Sequence, residues 1–304
     1  MANWFVSSAG WTAVTQWAAS TAYSVGDIRR QTAPTGTNHR VFRCTTAGTS
    51  GGSEPAWNLT KGSTTNDNTA VWTEITGNST YNTTSFAAPH AWLQHAISSS
   101  WAAAGDTIYV DTSHAETQAT GVTMTCVGTA ASPCKIICIN STFSNPPVSG
   151  DIDTTPSASV TTTGASILIL NGVYYCYGLT FNVATGATGA RFEMGNARQD
   201  YEKCTFNLVH TGSQPIFLGN GANLGPTTWY NCNLSLAAAG QVLNPRGCSP
   251  FRWYGGTLSG TVPNNLFGDS SFGENVGRVE IRDVDLNSAG TWTSKYLINT
   301  QNVD

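Results

Sequence analysis

Charge is scarce in this chain. Only 11% of its 304 residues are charged, and 14 Lys and Arg against 18 Asp and Glu leave a net charge of -4. Without a basic field there is nothing to hold a polyanion by counterion release, so direct nucleic-acid binding is not expected. Long apolar runs are missing as well. The longest, Ile167-Leu168-Ile169-Leu170, has the length of a strand, against the roughly 18 residues a membrane span needs. The start, Met1-Ala2-Asn3-Trp4-Phe5, lacks the charged head and apolar centre of a secretory signal, and predicts a chain made in a cytoplasm and not processed there. No Gly-x-Ser-x-Gly elbow, phosphate loop or dinucleotide fingerprint occurs, so no cofactor is expected.

Ser and Thr make up roughly a quarter of the chain and Gly contributes another 31 residues, while Met numbers three, a balance typical of β-rich proteins with many turns. The eight cysteines, at 44, 126, 134, 138, 176, 204, 232 and 248, read as small buried hydrophobes with free thiols in a chain of this length. Cys126, Cys134 and Cys138 lack the short paired spacing of structural zinc, and no metal is expected.

Residues 1–84 hold five of the ten Trp (Trp4, Trp11, Trp17, Trp57, Trp72) among Gly, Thr and Ser turns, and read as a small β module. Trp57, in a Gly- and Pro-rich loop, is expected to plug its core. From Ser85 to Trp101 the period changes. Pro89 suits a first turn, and Leu93, Ile97 and Trp101 form one stripe, which predicts a helix of about three turns, the only one in the chain. On that helix His90 and His95 would lie about 140° apart and share no ligand.

From about residue 106 short strands recur. Leu179-Thr180-Phe181, Cys204-Thr205-Phe206, Cys232-Asn233-Leu234, Gly256-Thr257-Leu258 and Val284-Asp285-Leu286 begin at intervals of 25, 28, 24 and 28 residues, within the range of solenoid repeats. Stacked as parallel coils, they would line Phe181, Phe206, Leu234, Leu258 and Leu286 in one interior column, with Cys204 above Cys232 in the next. Tyr201, Tyr230, Phe251 and Ile281 are expected as a second inward contact of each coil. A sandwich would show hairpin signals every 8 to 12 residues, and these are missing. The fold class is therefore all-β, with residues 85–304 a parallel β-helix of near eight coils capped by the helix. The tail from Thr291 to Ile298 caps the last coil or lies on a neighbouring subunit.

The run beginning Trp17-Ala18-Ala19-Ser20 and continuing to Asp27, with Arg43-Cys44-Thr45-Thr46, Glu54-Pro55-Ala56-Trp57 and Val71-Trp72-Thr73-Glu74, resembles a small module of tailed-bacteriophage virion proteins. Gly105-Asp106-Thr107-Ile108-Tyr109-Val110 looks like the first coil of phage and bacterial right-handed β-helices. The resemblance implies a right-handed parallel β-helix, a virion component and, by analogy, a homotrimer. Part of the module is also similar to chitin- and cellulose-binding modules, which would make Trp57 and Trp72 a sugar platform.

Phage β-helices that cut polysaccharide use paired carboxylates. Three pairs at i and i+2 qualify by spacing: Asp151 with Asp153, Asp200 with Glu202, and Asp283 with Asp285. Each also reads as a solvated face, the last neutralised by Arg278 and Arg282. His114, two residues before Glu116, is a lone acid–base candidate. With no active centre singled out, the expected function is non-enzymatic: a capsid decoration (cement) protein bound to the major capsid protein and stabilising the shell. Trp4, Phe5, Trp11, Trp17 and Trp57 would supply its interface. The alternative is a tail fibre or tail spike that binds or degrades host surface polysaccharide.

Overall fold

The computed structural model describes all residues other than 36–37, 164–167, 184–191, 196, 211, 213–215, 219–224, 246–249, 269–277, 294 and 299–304. Most of the chain winds into three parallel sheets of eight, seven and six strands. After the first coils, each turn of the chain gives one strand to each sheet, which is the arrangement of a parallel β-helix. The longest sheet stacks Asn3–Val6, Thr107–Asp111, Cys134–Ile139, Tyr174–Tyr177, Gln199–Glu202, Thr227–Tyr230, Phe251–Tyr254 and Val279–Arg282. Seven of these come from the repeating region. The eighth comes from the far N-terminus, where Trp4 and Val6 register with Ile108 and Val110.

The repeat spacing translates directly into register. Phe181 pairs with Phe206, Phe206 with Leu234, and Leu234 with Leu258. Phe181 and Phe206 stack with rings 5.7 Å apart, and Phe206 stacks on Trp229 at 4.4 Å. Leu286 closes this side only half-buried, next to the bridge between Thr257 and Asp285. The second inward column differs from expectation. Tyr201, Trp229, Trp253 and Ile281 share a register, Phe251 belongs to the neighbouring inward column with Thr227, and Tyr230 points outward at 41% exposure. Strand alternation explains the error: Trp229 and Tyr230 are adjacent, so only one can face in.

A turn precedes each of these repeats, and its residue adopts a left-handed backbone in successive coils: Gly178, Lys203, Asn231, Gly255 and Asp283, with φ between 50° and 75°. The amides of Gly178, Lys203, Asn231 and Gly255 donate to carbonyls of Glu202, Tyr230, Tyr254 and Arg282 in the next coil. The corner is thus hydrogen-bonded along the stack, and that pairing holds Lys203 and Asn231 in a conformation that costs a side chain about 1 kcal/mol.

The seven described cysteines are buried free thiols; Cys248 lies outside the described residues. Cys176 and Cys204 stand with Sγ atoms 3.8 Å apart in adjacent coils. Burial pushes the thiols of Cys176 and Cys232 up, and that of Cys138 up to about 12.

The helix expected over 85–101 is one turn, Leu93–Ala96. Pro89 precedes it, and residues 86–91 are drawn into other contacts, with the His90 amide donating to Phe5 O and Ser7 to His90 O. A helix that sequence reading passed over, Ser8–Ala13, is capped by Ser7, whose Oγ accepts from Gly10 N at 2.8 Å. Leu93 and Ala96 are buried with Trp4, Val6, Val122 and Met124. The tail strand Tyr296–Ile298 pairs in parallel with Asn265–Phe267 as the last strand of the seven-stranded sheet, not as a lid.

Residues 22–74 form a separate antiparallel arrangement. Ile28–Arg30, Val41–Thr46, Ala70–Glu74 and Thr64–Asp67 make a four-stranded sheet, beside the pair Ala22–Tyr23 and Gly48–Thr49. Its core is Trp17, Tyr23, Phe42, Cys44 and Trp72. Asp67 Oδ2 accepts both indole N–H groups, from Trp17 at 2.7 Å and Trp72 at 3.1 Å, which satisfies the polar ends of two buried rings with one carboxylate.

Candidate functional site

The aromatic residues expected at an interface are inside the molecule. Trp4, Phe5, Trp11 and Trp17 are each at most 8% exposed. Trp4 donates to Asp106 at 3.0 Å, Phe5 stacks on Phe143 at 5.1 Å, and Trp11 lies under Arg30 at 4.5 Å. Trp57 is half-buried, stacked on Phe42 at 4.0 Å with its N–H on Glu54 at 2.8 Å. Trp72 is fully buried, so Trp57 and Trp72 do not form an open sugar platform. These rings are used to close two small cores and the first coil, which leaves little aromatic surface for a partner.

Five of the six carboxylates in these pairs have partners within the chain. Asp151 accepts from Val148 and Ser144 amides, which hold it below the usual carboxylate range, and Asp153 accepts from Thr155 N and the Thr112 hydroxyl. Asp200 pairs with Arg198 at 2.7 Å, and Glu202 accepts from Tyr175 Oη at 2.7 Å. Asp285 is exposed, as expected, but its partners are Ser288 and Asn287. Arg278 instead pairs with Glu280 at 2.7 Å, and Arg282 lies over Tyr254.

His114 is buried in a polar seam joining the N-terminus to the coils. Ser8 N–H donates to His114 Nδ1 at 3.1 Å, which puts the ring proton on Nε2, 3.3 Å from Glu116 Oε2. Glu116 also accepts the Leu93 amide at 2.7 Å, and Ser7 Oγ donates to Asp111 at 2.6 Å. Every one of these groups serves another, and together they tie residues 7–8 to 93 and 111–116. Among the described residues no group of three or more His, Cys, Asp or Glu is placed to hold a metal ion.

An open cleft lies where residues 40 and 59–61 face residues 94–101 and 123–127, with a volume of about 760 Å³. Arg40, Lys61, Gln94, His95 and Trp101 line it, with the hydroxyls of Thr60, Ser98, Ser99, Ser100, Thr123 and Thr125. Arg40 is buried, donates to Leu59 O at 3.2 Å and stacks over Trp101 at 5.1 Å. Behind the cleft a smaller cavity of about 280 Å³ reaches Glu74. Burial pushes that carboxyl up to about 7, against hydrogen bonds from Thr76 and Gly62 and the charge of Arg40.

Contrary to the helical geometry expected, His90 and His95 meet, with Nδ1 atoms 3.0 Å apart. His90 lies before the helical turn, so the 140° separation does not apply. The sequence signalled this cleft only weakly: its residues come from four separated segments, and none forms a motif alone. Comparison of the chain with protein-family models, with curated proteins and with solved structures finds no match.

Proposed function

We propose that the chain is a non-catalytic virion component of a tailed bacteriophage, decorating the capsid and stabilising it through contact with the major capsid protein. The observation that carries this reading is the uninterrupted stack of parallel coils, a rod about 35 Å long at ordinary strand spacing, suited to bracing. The module resemblance of residues 17–27 and 43–74 points to the same setting. Five of the six paired carboxylates, Asp151, Asp153, Asp200, Glu202 and Asp285, are engaged within the chain, which favours binding over hydrolysis. In this reading the part of residues 1–84 outside the strand Asn3–Val6 acts as a docking module, the turn Leu93–Ala96 caps the first coil, and residues 85–304 wind right-handed, as nearly all parallel crossovers do. Three copies associate to cover their edges. Docking uses surfaces other than Trp4, Phe5, Trp11 and Trp17.

A second reading, a tail fibre or spike that binds a host glycan, is favoured by the outer face of the longest sheet. There Tyr230, 41% exposed, and Tyr254 from the adjacent coil bring their rings to 5.7 Å at a tilt of 47°, an aromatic patch on which a glycan could rest. Quantitative mass spectrometry of purified particles separates the two. Hundreds of copies per particle are expected for the shell, a handful would move the chain to the tail, and absence from the particle would overturn both.

A further inference from the structure

The open cleft has the size of a small-molecule site, and its chemistry is one-sided. Among the described residues no carboxylate lines it. Exposed Lys61 is fixed at its edge, with Nζ 3.3 Å from Trp101 O and 4.0 Å from the centre of the Trp4 ring. Neither contact neutralises its charge.

The histidine pair adds a second donor whose direction is determined by the neighbours. Arg40 Nη1, which can only donate, lies 3.3 Å from His95 Nδ1. A proton on that nitrogen would face the guanidinium N–H, so His95 Nδ1 is the acceptor and His90 Nδ1, 3.0 Å away, carries the hydrogen. The proton of neutral His95 is then on Nε2. No acceptor for it occurs among the described residues, and His95 lines the cleft.

His90 is locked for this purpose. Its ring stands edge-on to Trp101 at 4.7 Å, its main chain is bonded to Phe5 and Ser7, and its own Nε2 is buried without a partner. Gly77 makes the room: a Cβ there would come within 2.3 Å of that nitrogen. An unpaired buried nitrogen is costly, and what it maintains is the orientation of His95.

We infer that this cleft binds an oxyanion, a carboxylate or a phosphate, carried on a small polar molecule, with Lys61 Nζ and His95 Nε2–H as its donors and the surrounding hydroxyls completing the shell. The inference does not depend on the virion reading, since anion affinity and copy number are separate readouts.

The test is titration of the full chain at low ionic strength with inorganic phosphate and, separately, with glucuronate, read by calorimetry and by the ¹H–¹⁵N signals of His95. At least one anion is expected to bind and to shift the Nε2–H signal. Lys61→Met, which keeps the apolar stem and removes the charge, should weaken that binding about tenfold. Tighter binding of phosphate assigns a phosphorylated ligand, and tighter binding of glucuronate an acidic sugar. If neither anion moves the His95 signal at millimolar concentration, or if Lys61→Met binds as tightly as the parent, the inference is overturned.

Discussion

Glu74 illustrates how a single side chain links the small sheet to solution conditions. Its carboxyl accepts amides from Thr76 at 2.9 Å and Gly62 at 3.2 Å, yet burial raises it from the usual 4.5 to about 7. Between those values the folded chain holds a proton that the unfolded chain has released. Stability therefore falls as pH rises through this window: the contribution of protonated Glu74 is complete below about 4.5 and gone above about 7. His90 and His95 act in the opposite sense. Burial lowers both, His95 to about 3, so their neutral forms stabilise the fold above about 6.5 and that contribution is lost as pH falls. Comparing parent with Glu74→Gln isolates the carboxylate. The stability difference between the two in urea is expected to change by about 3 kcal/mol from pH 4.5 to 7.5, with the parent losing ground as pH rises. A constant difference would mean that Glu74 titrates normally.

At the scale of the strand, the alternation of inward and outward residues sets the cost of substitution. Phe206→Ala removes a ring packed between Phe181 and Trp229, and should cost about 3–5 kcal/mol. Tyr230→Ala, on the opposite face and 41% exposed, should cost less than about 1 kcal/mol. Equal losses in denaturant unfolding would place Tyr230 inside. The strands after residue 106 were legible because each carries its apolar residues at period two and recurs at solenoid spacing, so Phe181, Phe206, Leu234 and Leu258 fell into register. Tyr230 is aromatic, which suggests burial, but its parity relative to Trp229 turns it outward. The stripe of Leu93, Ile97 and Trp101 marks burial and not a helix over the whole of 85–101, because His90 and Phe86 are claimed by long-range partners invisible to a local pattern. The cleft was legible only weakly. Arg40, Lys61, His95 and Thr123 meet only because the small sheet rests against the first coil, and no spacing rule encodes that contact.

For the whole molecule, stability in a stack of coils is carried from neighbour to neighbour, so it depends on what covers each rung. In the longest sheet Thr227 and Trp229 are fully buried, whereas Val279 and Ile281 of its last strand are only half-buried. Native-state hydrogen exchange is expected to be at least about tenfold faster over Val279–Arg282 than over Thr227–Tyr230; uniform protection along the sheet would contradict a graded rod. The other end is secured differently. The strand Asn3–Val6 pairs along one edge with Thr107–Val110 and is bonded along the other to Gly77 and His90, while Ala2 N bonds Asp106 at a sequence separation of 104. During synthesis this segment leaves the ribosome before Gly77 and His90, and about a hundred residues before the strand it joins in the sheet. The strand therefore gains its place in the sheet only after Thr107–Val110 has emerged, and until then Trp4 and Phe5 lack the cover of the first coil and stay open to chaperones while translation proceeds.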